Sequence, residues 1–323
     1  MRQLAQDIVL SCENDNYHPE EPTDAVLRRR AVFKDIVSWD RFRDGYPNLF
    51  INEVRDVAGK DVIFLASFHC VDVIFEQISL LYSLPGTLAN SVTVLLPYFP
   101  TGTMERTDSL GQVATAKTLA IILSQIPTTA RGPAQIMIFD IHSLQERFYF
   151  EESVIPRLES AVPLVVKEIK QCLASDTIVI AFPDAGAHKR FAGFFPEYRL
   201  IICAKIRKNG QRIVKIQEGN PTDAHAILID DLVQTGGTLI EAAKALKEAG
   251  AKKVSAYVTH PVFPQESWKQ FLPTSNSGVK FENFWITDSI PHAAAIATNP
   301  PFKLLSLAPR IAELLWGYDL KAT

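Results

Sequence analysis

The segment AILIDDLVQTGGTLIEAAKALKEAG, residues 226–250, admits few folds. Ala226 to Ile229 form a short apolar run with the look of a buried strand. From Leu239 onward the spacing is helical and ends in glycine. Asp230 and Asp231 therefore stand at the carboxyl end of a strand, and Thr235-Gly236-Gly237-Thr238 opens a helix. Similar apolar runs recur along the chain: DVIFLASF, VTVLLPYF, AQIMIFDI, TIVIAF, LIICAKI, KVSAYVT and FENFWIT. Helical patterns lie between them, in FEQISLLYSL, AKTLAIILSQI, SVIPRLESAVPLVVKEIKQCL and LIEAAKALKEA. Strands of this kind alternating with helices predict an α/β fold, with mostly parallel sheets covered on both faces.

The turn also carries chemistry. A helix N-terminus presents unpaired N–H groups and the positive end of the helix dipole, which suits a phosphate. Gly236 and Gly237 allow close approach of an anion, and Thr235 and Thr238 add hydroxyl donors. Asp230 and Asp231 would repel a phosphate, so their partners are sugar hydroxyls or a hydrated magnesium ion. The direct reading is a site for a phosphorylated sugar. The plainer alternative is a strand-to-helix turn in which acids and threonines act as caps.

With 323 residues the chain can bury a large core and is expected to form two domains. The halves echo each other. AKTLAIILSQIPTTARGPAQIMIFDIH and GTLIEAAKALKEAGAKKVSAYVTH share helix, turn, strand and a final histidine, His142 and His260. Two duplicated domains dividing at residue 150 (1–150 and 151–323) account for this. An amphipathic C-terminal helix, about 304–320, is expected to pack back on the first domain. A net charge of −3 exerts no global pull on nucleic acid or anionic membrane, and neither is expected as a partner. No apolar run reaches the roughly 20 residues of a membrane helix. The acid-containing start lacks a signal pattern. The four cysteines share no short spacing, which disfavours a metal cluster or a disulfide framework and fits the cytosol.

Other segments carry candidate residues. IFDIHSLQERFYF sets Asp140 and His142 at a strand end, two apart and on one side. AFPDAGAHKR places Asp184 at another strand end, followed by Lys189 and Arg190. IICAKIRKNGQRIVKI holds Lys205 and Arg207 at alternate positions, on one face if extended. WDRFRDGYPNLFIN combines Phe42, Asp44 and Asn48 around a Gly-Tyr-Pro turn; taken alone, it reads as a turn with a core phenylalanine. PYFPTGTMERTDSLGQVATAK carries Thr101, Thr103, Arg106 and Thr107 in a long connector.

In combination and in order, these motifs resemble the ribose-phosphate pyrophosphokinases (phosphoribosyl pyrophosphate synthetases). The resemblance covers nearly the whole chain from Phe42. PYFPTGTMER, DGYPNLF and VTHPVFP resemble most closely the plant-type second class. It implies two duplicated phosphoribosyltransferase-type (type I) domains and transfer of the β,γ-diphosphoryl group of ATP to the anomeric hydroxyl of ribose 5-phosphate. It implies that residues Asp230 to Thr238 hold ribose 5-phosphate and that His142 and Asp184 belong to the Mg2+ site. Lys205 and Arg207 match a flexible-loop pair that stabilises the transition state. Phe42 and Asp44 match residues that receive adenine across a subunit interface, with Asn48 nearby, which implies a homo-oligomer. Thr103 and Arg106 fall in the ATP-phosphate loop.

Thr103 and Met104 replace an Arg-Gln pair, and Tyr46 replaces a glutamate, of the common bacterial-type class. The plant-type class shares the first change. The resemblance implies relaxed donor choice, no orthophosphate requirement and no ADP inhibition. The family's opening strand and Gly/Asn turn do not appear, and MRQLAQDIV resembles the helix that follows them. Either the start lies upstream or the first domain lacks a strand. A type I phosphoribosyltransferase and a non-catalytic regulatory relative of the synthetase are the alternative readings.

Overall fold

The computed structural model describes residues 1–13, 30–173, 176–208 and 211–318. The chain divides into two compact units, Met1–Ser160 with Ile311–Thr323, and Ala161–Arg310.

The first unit opens with helix α1 (Arg2–Glu13), whose Leu4, Ile8 and Cys12 are buried at helical spacing. The hairpin β1 (Val37–Arg41) and β2 (Pro47–Ile51) is antiparallel. The main elements are then β3 (Asp61–Leu65), α2 (Val71–Ser83), β4 (Ser91–Leu96), α3 (Thr115–Ser124), β5 (Ala134–Phe139) and β6 (Val154–Glu159). Strands β3 to β6 form a parallel sheet in sequential order. Its core joins Val94, Leu96, Ile136 and Ile138 of the central strands to Leu119 and Leu123 of α3.

The second unit runs through α4 (Val162–Cys172), β7 (Ile178–Phe182), α5 (Ala185–Phe191), β8 (Arg199–Lys208) and β9 (Gln211–Glu218). It continues with β10 (His225–Val233), α6 (Gly237–Glu248), β11 (Lys253–Pro261), β12 (Phe284–Thr287), α7 (Ala293–Ile296) and β13 (Phe302–Leu305), and α8 (Ala308–Tyr318) begins at its end. The sheet order is β13-β12-β11-β10-β7-β8-β9, parallel except for the edge strand β9. Strand β10 is central and covered on both faces, which is why it reads as a continuous apolar run. Ala226 and Leu228 join a core with α6, while Ile227 and Ile229 join another with Ala187 and Phe191 of α5.

Three local expectations change. SVIPRLESAVPLVVKEIKQCL is not one helix: Val154–Glu159 is a strand and the helix begins at Val162. Pro156 has no N–H to give, and it sits in an edge strand, where that donor is not needed. The C-terminal helix starts at Ala308 rather than 304, because Leu304 and Leu305 close β13. WDRFRDGYPNLFIN is a hairpin rather than a lone turn, with Asp40 opposite Asn48.

At the amino end of β10 a buried network sets a pH dependence. His225 Nδ1 is 2.8 Å from Asp176 Oδ2, and its Nε2 is 2.8 Å from Ser255 Oγ. Lys253 Nζ reaches the same Asp176 oxygen at 3.3 Å. Burial lowers the His225 pKa below 6.5, against the pull of Asp176. The hydrogen bond from His225 lowers that of Asp176 below 3.8. Below pH 6.5 the unfolded chain therefore takes up a proton at His225 before the folded one does, and stability falls. Asp176 adds a further loss at lower pH. The urea midpoint should drop between pH 7.5 and pH 5, and His225→Gln should show a smaller drop. Equal drops in the two proteins would contradict this assignment.

Candidate active site

The acid pair lies near the carboxyl end of β10, which runs on through Leu232 to Val233, and is held by α5. Asp231 is 1% exposed and accepts a 2.7 Å hydrogen bond from Arg190 Nη2. The same nitrogen lies 3.8 Å from Asp230 Oδ1. Arg190 also stands over the Phe191 ring at 5.0 Å, a further cation contact. Burial, then the charge of Asp231, and also that of Asp184, raise the Asp230 pKa well above the ordinary carboxylate value, while Arg190 opposes them. Three carboxylates and one guanidinium thus share one end of the sheet.

Asp184 caps α5, accepting from the Ala187 N–H at 3.0 Å. A Cβ at Gly186 would come within 3.2 Å of its Oδ1, so glycine keeps the cap unobstructed.

After β10 the chain turns through Gln234, Thr235 and Gly236. Gly236 has φ +80° and is the N-cap of α6, with no side-chain capping bond. Neither the acids nor the threonines cap this helix, contrary to the plain capping alternative. A Cβ at Gly236 would overlap the Phe271 ring, whereas Gly237 faces open space. The unspent N–H groups of the first turn remain for an anion.

In the first unit, His142 follows β5, and Asp140 just before it has φ +38°. Asp140 Oδ1 accepts from Ser160 Oγ at 2.6 Å. The long connector after β4 comes to the same place. A Cβ on Gly102 would lie 3.3 Å from the His142 Cβ and 3.5 Å from Glu146 Oε1. Tyr149 Oη donates to the Glu105 carbonyl, and Glu146 Oε1 accepts from the Ser143 N–H at 3.1 Å. His142 and the loop of Thr103 and Arg106 are thus brought together. Arg106 points outward, paired with Asp108 at 3.1 Å. Sequence reasoning missed Gly102 and Tyr149; the proline-flanked TGT was the available signal.

The hairpin places Phe42, Asp44 and Asn48 as follows. Phe42 is 55% exposed, so the expectation of a core phenylalanine is wrong. The tight turn (Gly45 φ +90°, Gly45 N–H to Phe42 carbonyl 2.9 Å) pushes the ring outward. Asp44 Oδ1 accepts from the Tyr46 N–H at 3.2 Å. Asn48 lies in β2 opposite Asp40.

Lys205 pairs with Val214 and Arg207 with Arg212 along β8 and β9, so their backbone is extended as the alternation required. Their side chains lie outside the described residues.

Among the described residues no three or more His, Cys, Asp or Glu side chains converge to hold a metal ion. Magnesium asks for less from a protein: one or two carboxylates, waters and substrate phosphates. The mutual repulsion of Asp184, Asp230 and Asp231 felt at Asp230 is what a hydrated divalent cation would relieve, so the oxygen-rich donor set fits Mg2+.

Two family models match the chain: the N-terminal domain of ribose phosphate pyrophosphokinase over residues 23–126, and the phosphoribosyl transferase domain over residues 201–291. Ribose-phosphate pyrophosphokinase 4 of Oryza sativa subsp. japonica is 51% identical over 86% of this chain and 87% of its own. Ribose-phosphate pyrophosphokinase 3, mitochondrial, of Spinacia oleracea is 50% identical over 93% of this chain and 75% of its own. The crystal structure of phosphoribosylpyrophosphate synthetase from Mycobacterium smegmatis shares the fold. Its TM-score is 0.76 at 21% identity, over 98% of this chain and 94% of that one. The chain belongs to the ribose-phosphate pyrophosphokinase family, on its plant-type branch, and is built from two phosphoribosyltransferase-type α/β domains.

Proposed function

We infer that the protein is a ribose-phosphate diphosphokinase: it transfers the β,γ-diphosphoryl group of ATP to ribose 5-phosphate for nucleotide biosynthesis. The observation that carries this reading is the end of β10. A fully buried Asp231 and a partly exposed Asp230, both within reach of Arg190, lie shortly before a helix N-terminus that no side chain caps. That pairing suits a sugar with hydroxyls at one end and a phosphate at the other. The matched relatives are named for the same activity.

In the reaction the anomeric oxygen attacks the β-phosphorus of ATP in line. A new O–P bond forms, the bond from the β-phosphorus to the α,β-bridging oxygen breaks, and AMP leaves with that oxygen. The attacking hydroxyl gives up its proton to solvent water, and the products are phosphoribosyl diphosphate and AMP. Residues Thr235 to Thr238 hold the 5-phosphate, and Asp230 and Asp231 hold the ribose hydroxyls. Thr103 and Arg106 take ATP phosphates; Phe42, Asp44 and Asn48 receive adenine. Lys205 and Arg207 neutralise charge on the transferring group and the departing AMP. Alignment of two bound substrates is worth up to about 7–11 kcal/mol of barrier. Mg2+ would supply charge neutralisation when bound; Asp184 is its candidate ligand in the second unit and His142 its candidate ligand in the first.

A homo-oligomer is the proposed assembly, with the nucleotide end near a subunit interface. Trp39, Phe42, Tyr46 and Phe50, all more than 45% exposed on one hairpin, support it. Cytosolic residence is the proposed location. Among the described residues no helix is long and apolar enough to cross a membrane.

Incubation with ribose 5-phosphate, ATP and magnesium should yield AMP and phosphoribosyl diphosphate in equal amounts without any nucleobase. A requirement for a nucleobase would favour a phosphoribosyltransferase. Binding of both substrates without turnover would favour a regulatory relative.

A further inference from the structure

We propose that the segment Val262–Phe271 is a rigid brace that orients the phosphate-binding turn, and that Gln270 is a positioning residue for ribose 5-phosphate. The inference rests on the functional reading above and adds how the turn is held ready.

Three successive carbonyls lead into Gly236, and each is taken by this one segment. The Val233 carbonyl accepts from the Val262 and Phe263 N–H groups at 3.1 and 3.2 Å. The Gln234 carbonyl accepts from Ser267 Oγ at 2.8 Å. The Thr235 carbonyl accepts from Gln270 Nε2. In a planar trans peptide the C=O and the following N–H point in opposite directions. Fixing these carbonyls toward the segment therefore turns the N–H groups of Gln234, Thr235 and Gly236 away from it. Consecutive N–H groups fixed in this way form an anion-binding nest, continuous with the open N-terminus of α6.

The segment is itself locked in an unfavourable backbone. Phe263, Gln265 and Glu266 have φ of +40°, +52° and +56°. Non-glycine residues persist in the left-handed region only where surrounding contacts over-determine them, and they gather at functional sites. Aromatic packing supplies the contacts here. The Phe263 ring lies 5.7 Å from Phe271 and 5.7 Å from Phe302, and Phe271 lies 5.0 Å from Phe284. Phe271 covers Gly236 so closely that no Cβ fits. Gln270 differs from these core rings: it is partly exposed, and its amide also holds the Ser267 carbonyl at 2.9 Å. It can be changed without removing the aromatic packing.

Gln270→Ala and Gln270→Glu both remove the donor, and Glu keeps the shape. Both should raise the KM for ribose 5-phosphate about five- to tenfold, as for loss of one hydrogen bond. The kcat, the KM for ATP and the melting temperature should stay close to wild type. In the free protein, amide hydrogen exchange at Thr235 and Gly236 should accelerate in both variants. Unchanged exchange and unchanged ribose 5-phosphate KM would overturn the proposal. So would parallel losses in both KM values and in melting temperature, which mark a merely structural residue. An inactive wild type would sink the functional reading alone. The exchange measurement would then decide the brace by itself.

Discussion

Arg190→Ala is expected to destabilise the second unit by about 3–5 kcal/mol, because it leaves Asp231 as a buried charge without its guanidinium. Asp231 is 1% exposed and sits 2.7 Å from Arg190. Asp230 beside it is already pushed toward its neutral form by burial and by Asp231. Removing the cation leaves adjacent carboxylates that cannot both stay ionised at low cost. Adding Asp231→Asn should recover part of the loss, since the orphaned charge disappears. Urea unfolding of the two single variants and the double variant measures this coupling directly. If Arg190→Ala is as stable as wild type, the guanidinium does not support the acid pair. Ribose 5-phosphate affinity should fall in the same variant, because the acid pair proposed to receive the sugar is no longer fixed.

The second large effect falls on catalysis. Lys205→Ala should lower turnover about a hundredfold or more, as expected for one lost charge contact made in the transition state. Affinity for ribose 5-phosphate should be nearly unchanged, because the proposed sugar site lies at β10 and α6. Under saturating substrates the loss appears in kcat. Near-normal turnover would remove Lys205 from the mechanism, and a matching loss of sugar binding would assign it to the ground state instead.

Much of this arrangement was legible in the sequence. The strand, paired acids, glycine turn and helix of residues 226–248 appear where periodicity and turn chemistry placed them, because each depends on neighbours in sequence. The echo between the halves also has a structural counterpart: α3 and β5 lead to His142 as α6 and β11 lead to His260. What escaped depends on distance along the chain. Arg190 meets Asp231 across 41 positions, and Gln270 meets Thr235 across 35. Neither contact leaves a periodic trace. Two acids entering a core need a neutralising cation, and Lys189 and Arg190, which follow another strand end, were the candidates. Phe42 escaped for a different reason. Its outward ring follows from the Gly45 turn, which apolarity alone does not reveal. Pro156 is similar: it argues against a central strand but permits an edge strand, and only the sheet order decides.

The most direct test is a calorimetric titration of the folded protein with ribose 5-phosphate, with magnesium and a non-hydrolysable ATP analogue present and absent. The account predicts saturable binding at one site per chain, lost on replacing Asp230 and Asp231 by alanine. No binding under any of these conditions, in protein shown to be folded, would contradict it.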